Sequence, residues 1–217
     1  MASFGLDSEE KRSAGTFTIQ VCLVGARGSG KSSIVRGILH DAALVSAEPA
    51  EEADGLELQR VLYGYRGQQI ALDLIELPAD ERYRVLLPHF SSGAACIIFV
   101  VDLGPGRGGG AASLEEWLSA LGGPPRRGLV VANSKTGSAA SAEERERLSE
   151  LQDLAARWSL HVMRFSSPEQ LERGQVLRSI CSLVMHETPE SVDAVHLLGT
   201  GVSQGQQSEV ASDGVAN

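Results

Sequence analysis

Apolar residues in this chain follow two alternating rhythms. Residues 17–24, 96–101 and 129–132 are solid apolar runs that include β-branched residues, the pattern of parallel strands buried on both faces. Residues 56–65 and 69–77 read as two further strands joined at Arg66-Gly67-Gln68, an antiparallel hairpin, and residues 161–165 as a last strand. Helical spacing recurs at 33–40, 113–121 and 169–186. It also recurs in a short amphipathic stretch within 78–92, whose inward side would be Tyr83, Leu86 and Leu87. Ser141-Ala142-Glu143-Glu144 is a capping box opening a helix that runs to about Trp158. Residues 41–54 are rich in Ala and Glu without a period and read as a loop, and the glycine-rich 104–110 as a loose connector. This succession predicts an α/β fold with a mostly parallel six-stranded sheet, one antiparallel edge strand and helices on both faces. A ligand then belongs at the carboxyl ends of the strands.

The candidate chemistry sits where the first strand meets the first helix. Gly25-Ala26-Arg27-Gly28-Ser29-Gly30-Lys31-Ser32 is a glycine, four free positions, then Gly-Lys-Ser, followed by Ser33. Strand, glycine loop and helix start aim successive backbone N–H groups and the positive end of the helix dipole at one spot, which suits phosphate. Gly25, Gly28 and Gly30 let the backbone turn tightly and approach oxygen atoms that a Cβ would obstruct. Lys31 would reach the outer phosphates, and Ser32 would offer its hydroxyl to a magnesium ion bridging them. A chain with 24 glycines can produce the spacing by chance, but the flanking strand and helix are the context that the phosphate reading requires.

Composition narrows the picture. At 217 residues the chain suits one α/β domain, expected over 16–187, between a disordered start at 1–15 and a flexible tail at 188–217. A net charge of -9 with dispersed Lys and Arg argues against a nucleic-acid or anionic-membrane surface. Cys22, Cys96 and Cys181 lie in apolar runs without metal-ligand spacing and read as reduced core residues of a cytosolic protein. The five histidines are scattered without ligand spacing, and Trp117 and Trp158 read as helix residues packed on the sheet. The charge run 143–150 reads as a solvated helix face. Signal peptide, spanning run, myristoylation start and prenyl cysteine are all missing from the sequence, so the expectation is no direct membrane anchor.

Over about 17–186 the chain resembles the small GTPases of the Ras superfamily, the Rab branch most closely. Residues 17–39 look like the first strand, P-loop and first helix of a Rab, and 55–76 match its second and third strands without a gap. Glu81-Arg82-Tyr83-Arg84 looks like the start of switch II, and 93–102 resembles the fourth strand with its closing aspartate. The resemblance implies a P-loop NTPase G domain that binds GTP or GDP with Mg2+. It also implies contact with a protein partner or multi-subunit complex through the switch face.

The departures fall at the positions of the chemistry. The family's switch I threonine, which binds magnesium and senses γ-phosphate, aligns with Ala53. Its Asp-Thr-Ala-Gly-Gln motif aligns with Glu76, Leu77, Pro78, Ala79 and Asp80. Glu76 can still reach the metal with Ser32, whereas Asp80 is shorter than the water-orienting glutamine and charged beside a triphosphate. The guanine-reading Asn-Lys-x-Asp motif aligns with Asn133-Ser134-Lys135-Thr136. Losing its aspartate costs on the order of 1.5–3 kcal/mol, roughly ten- to a hundredfold in guanine preference. Lys135, shifted by one place, is a candidate to stack on the base. The family's Ser-Ala-Lys appears as Ser166-Ser167-Pro168, so the resemblance implies a base site of Asn133, Lys135, Ser166 and Ser167. Arg27 stands where the family keeps a small residue beside the γ-phosphate, either as a cis arginine finger or as an obstruction to one supplied by an activating protein.

Three readings follow. One is a nucleotide-binding module in a protein complex with slow or absent hydrolysis, another an active switch with Arg27 and Asp80 as atypical catalytic residues, and the third a nucleotide-free pseudo-GTPase. A P-loop kinase would need an arginine-bearing lid, for which 55–76 leaves no room. Lacking prenyl cysteines, the chain is more similar to the Rab-like group of soluble complexes, which includes GTPase-like subunits of intraflagellar transport. The expected location is the cytoplasm, with cilium or flagellum as its narrower form.

Overall fold

The computed structural model describes residues 17–40, 44–48, 51–53, 56–104, 109–134, 141–165 and 175–185. The strands are β1 (Phe17–Gly25), β2 (Leu44–Ala47), β3 (Glu51–Ala53), β4 (Leu56–Tyr65), β5 (Gln68–Glu76), β6 (Cys96–Asp102), β7 (Gly128–Asn133) and β8 (His161–Phe165). The helices are α1 (Lys31–Leu39), α2 (Glu81–Arg84), α3 (Leu87–Gly93), α4 (Gly110–Leu121), α5 (Ala142–Arg157) and α6 (Gln175–Val184). The strands form one sheet in the order β2-β4-β5-β1-β6-β7-β8, with β3 also paired to β4. From β5 to β8 every pairing is parallel.

The sheet is therefore eight-stranded rather than six-stranded, because residues 41–54 hold two short strands where a loop was expected. Both run antiparallel to β4, which is itself antiparallel to β5. The one reversed strand thus lies inside the sheet, not at its edge. Local pattern did not announce β2 and β3 because β4 supplies their hydrogen bonds. Glu48 N–H donates to Arg60 O at 3.0 Å, and the buried Gln59 amide donates to Glu48 O. Arg60 and Asp73, opposite each other on β4 and β5, form a two-pronged ion pair at 2.6 and 2.8 Å that holds the hairpin's register.

Two apolar layers cover the sheet. On one face α1 (Ile34, Ile38) and α6 (Leu177, Ile180) pack on Val21, Leu23, Ile98 and Val100. On the other, α3 (Leu87), α4 (Leu114, Trp117) and α5 (Leu151, Ala155) pack on Val24, Ile97, Phe99 and Val130. The α/β architecture expected from the alternation, helices on both faces of a mostly parallel sheet, is present. Trp117 is buried, Trp158 packs at the margin of the second layer, and all three cysteines are buried and free. Burial pushes the Cys22 and Cys96 thiols up to about 12, so neither is a thiolate at neutral pH.

The segment after β5 is two helices, not one. Pro88 has no N–H to donate and fits only a first turn, so α3 starts afresh beside it. The break turns Leu86 outward while Leu87 is buried, so only part of the expected inward side faces the core. The capping box at Ser141 and Glu144 is formed in both directions. Glu144 itself is buried, which corrects the reading of 143–150 as wholly solvated.

Candidate nucleotide site

Between the end of β1 and the start of α1 the backbone closes a cup. Ser29 N–H donates to Ala26 O at 3.1 Å, and Gly30 O accepts from Ser33 and Ile34 as the helix begins. Lys31 and Ser32 are the first two helical residues, so their amides have no acceptor within the helix and point out of its positive end. Gly30 has φ +107, and a Cβ there would collide with the Asn133 side chain. Asn133, the last residue of β7, donates its Nδ2 to Ser29 O at 2.9 Å and so ties the end of that strand to the loop. The register Asp102 to Asn133 brings the ends of β6 and β7 level beside it.

Lys31 is buried and folds back over its own loop. Its Nζ donates to Gly25 O at 3.0 Å and to Ala26 O at 3.4 Å. Burial lowers its pKa, opposed by the charge of Glu76. Ser32 Oγ donates to Glu76 Oε1 at 3.0 Å, while Glu76 Oε2 is buried with no hydrogen-bond partner among the described residues. Burial raises the Glu76 pKa, and its bond from Ser32 and the charge of Lys31 hold it back. A hydroxyl beside a carboxylate with an orphaned oxygen is a donor set that fits Mg2+, which takes one or two protein oxygens plus phosphate and water. A cavity of about 370 Å³ opens over these groups, lined among others by Arg27, Lys31, Ser32, Arg36, Glu76 and Ala79.

The metal-free and metal-bound states place opposite demands on Glu76. Its folded pKa lies above the unfolded value near 4.5, so without metal its contribution to stability is full below that value and is lost as pH rises through the folded pKa. Glu76→Gln is therefore expected to raise the melting temperature of the chain in EDTA at pH 7, by a margin that shrinks towards pH 4.5. The same change is expected to weaken Mg2+ affinity in the nucleotide complex by about 10- to 100-fold. Melting curves and magnesium titrations check the two signs.

Other expected residues are placed differently. Arg27 is exposed at the rim of the cavity. Asp80 is the N-cap of α2, accepting from Arg82 N–H at 3.0 Å and pairing with the Arg82 guanidinium at 3.2 Å. Leu77, in the family's threonine position, is fully buried in the second apolar layer, and its N–H donates to Leu23 O. Ala53 belongs to β3, paired with Leu56. Ser134 is buried and donates to Glu144 Oε1 at 3.0 Å, so it braces the start of α5. Lys135, Ser166 and Ser167 lie outside the described residues, as do 1–15 and 188–217.

Two contributors were missed from sequence. Arg36 lines the cavity and donates Nε to Ser32 O at 3.2 Å; its i+4 spacing from Ser32 on one helix was the available signal. Arg147 of α5 donates to Leu103 O and Gly104 O beyond β6, a long-range contact with no local pattern.

Parallel sheet, glycine cup, buried lysine and paired serine and glutamate define a P-loop nucleotide-binding domain of the small-GTPase type. The family model described as Roc, the Ras of Complex domain of DAPkinase, matches residues 20–133, just over half of the chain, and the chain belongs to this family within the Ras-superfamily small GTPases. It is similar to human Ras-related protein Rab-22A, at 28% identity over 119 residues. That match covers 54% of this chain and 59% of Rab-22A, so it spans less than two thirds of the relative's length.

Proposed function

We propose that the chain is a divergent Rab-like module that binds GTP or GDP with Mg2+ and hydrolyses GTP slowly or not at all. In this reading it presents its switch face to a protein partner or multi-subunit complex. The observation that carries the proposal is the intact cup with Lys31 held inside it, next to positions where the hydrolytic residues are replaced. Lys31, the amides of α1 and Arg36 would hold the phosphates, Ser32 and Glu76 the metal, and Asn133 the wall between phosphate and base. Bound magnesium would neutralise charge on the outer phosphates.

Hydrolysis lacks an organiser in this arrangement. Asp80, committed to capping α2, is turned to its own helix, and Pro78 stiffens the backbone beside Ala79. A single-turnover assay with GTP is expected to give a rate at or below about 5 × 10⁻⁴ s⁻¹, the unassisted rate of a small GTPase whose glutamine is in place. A rate tenfold higher, lost in Arg27→Ala, would establish the active-switch reading instead.

A nucleotide-free scaffold is the second reading. It is favoured by the two bonds from Lys31 to Gly25 and Ala26, which hold the loop together without phosphate. The narrower expectation of an intraflagellar-transport subunit, in cytoplasm, cilium or flagellum, belongs to this proposal and rests on the resemblance alone. Capture of partners from a lysate with and without excess nucleotide tests control by the site; equal capture would remove nucleotide control from the proposal.

A further inference from the structure

A second cavity, of about 380 Å³, lies at the other end of the sheet. Arg126, Arg127, Gly128, Ser159, His161 and Leu183 line it. Gly128 and His161 begin β7 and β8, whereas the nucleotide cup adjoins the far end of β7 at Asn133. Six residues of strand separate the two by roughly 16–20 Å. Two adjacent arginines line this concavity and no acidic residue is among the lining named above, on a chain of net charge -9.

The chain itself carries a complementary partner next to this cavity. Leu183, on its wall, lies in the last turn of α6, and the described chain ends at residue 185. The 31 residues that follow position 186 contain Glu187, Glu190, Asp193, Glu209 and Asp213 and neither Lys nor Arg. Four residues of chain span at most about 14 Å, which sets the reach of position 187 from the wall that Leu183 forms. Tethering gives such a segment a local concentration in the millimolar range, at which contacts totalling about 4 kcal/mol keep it docked half of the time.

We propose that the acidic segment after α6, beginning with Glu187, Glu190 and Asp193, docks intramolecularly on Arg126 and Arg127. The docking would secure α6 across the amino ends of β7 and β8. It is independent of the nucleotide reading, since no residue of the cup takes part.

Hydrogen exchange of the full chain tests it through the backbone of residues 126–128. Neutralising the segment (Glu187→Gln, Glu190→Gln, Asp193→Asn) is expected to speed exchange there several-fold at low salt. The acceleration should vanish at about 1 M salt, where screening falls to about 3 Å. Arg126→Glu with Arg127→Glu should give the same acceleration, and combining it with Glu187→Lys, Glu190→Lys and Asp193→Lys should restore protection. Neutralising the segment alters no described residue, so its result stands even where the arginine variants fold poorly. Unchanged exchange in the neutralised variant, or failure of the swapped charges to restore protection, would overturn the proposal. So would protection that grows with protein concentration, which would assign the pocket to a second copy.

Discussion

Lys31→Met is expected to weaken GDP and GTP binding by about 100- to 10,000-fold while leaving the melting temperature of the nucleotide-free chain nearly unchanged. Each charge-assisted hydrogen bond from the ammonium to a phosphate oxygen contributes about 1.5–3 kcal/mol, so two of them account for a loss of this size. Within the protein those donors go to Gly25 O and Ala26 O, and the ammonium is buried. Losing two bonds and losing a buried charge oppose each other, whereas in the nucleotide complex nothing compensates for the missing cation. Methionine keeps the apolar stem, so packing against the loop survives. Titration calorimetry and thermal melts on the same sample separate the two effects. A large fall in melting temperature without a fall in affinity would make Lys31 a structural residue only.

The second large effect concerns a position where the family's own residue is expected to do harm. Leu77→Thr restores the threonine of the Asp-Thr-Ala-Gly-Gln motif, yet it should destabilise the chain by about 3 kcal/mol and leave hydrolysis unchanged. Leu77 is fully buried among apolar neighbours that include Leu87 and Val24. Threonine would leave a void where the leucine methyls were and bring a hydroxyl into an apolar layer. Chemical denaturation checks the stability, and single-turnover hydrolysis checks the rate. A variant of native stability with faster hydrolysis would show that the loop after β5 still carries dormant catalytic geometry. The expected result instead marks this loop as rebuilt into the core, with Leu77 inward and Asp80 spent on capping α2.

What the sequence announces here depends on how local the cause is. Solid apolar runs announced β1, β6 and β7 because burial on both faces leaves a continuous signature, and Ser141 to Glu144 announced α5 because a capping box is complete within four residues. β2 and β3 stayed hidden since their hydrogen bonds come from β4, and Leu44–Ala47 with Glu51–Ala53 carries no alternation of its own. The break between α2 and α3 was written in Pro88 but masked by an apolar spacing that continues through it.

The candidate site divides in the same way. The loop from Gly25 to Ser32 is contiguous, so its strand, turn and helix start are legible in the sequence, whereas the bond between Ser32 and Glu76 spans 44 positions and was approached only through a gapless alignment. The bond from Asn133 to Ser29 spans 104 positions, and Ser134 with Glu144 joins the end of one element to the cap of the next. Such contacts exist only once the sheet has formed. That is why Ser134 was met as a substituted base residue and turned out to be a brace for α5. Trp117 shows the same limit from another side: Arg84, on α2, stacks over its ring at 5.1 Å and pairs with Glu116 at 3.0 Å, joining α2 to α4 across 32 residues.

The account stands on the cup gripping a nucleotide in the folded protein. Acid or heat extraction of the purified full chain, followed by ion-exchange chromatography of the released nucleotides, measures this directly. We predict GDP or GTP recovered at close to one mole per mole of chain from preparations kept in magnesium, and none from Lys31→Met prepared alongside. Chain that is folded, monodisperse and free of nucleotide, and that takes up neither GDP nor GTP at millimolar concentration with magnesium, would contradict it.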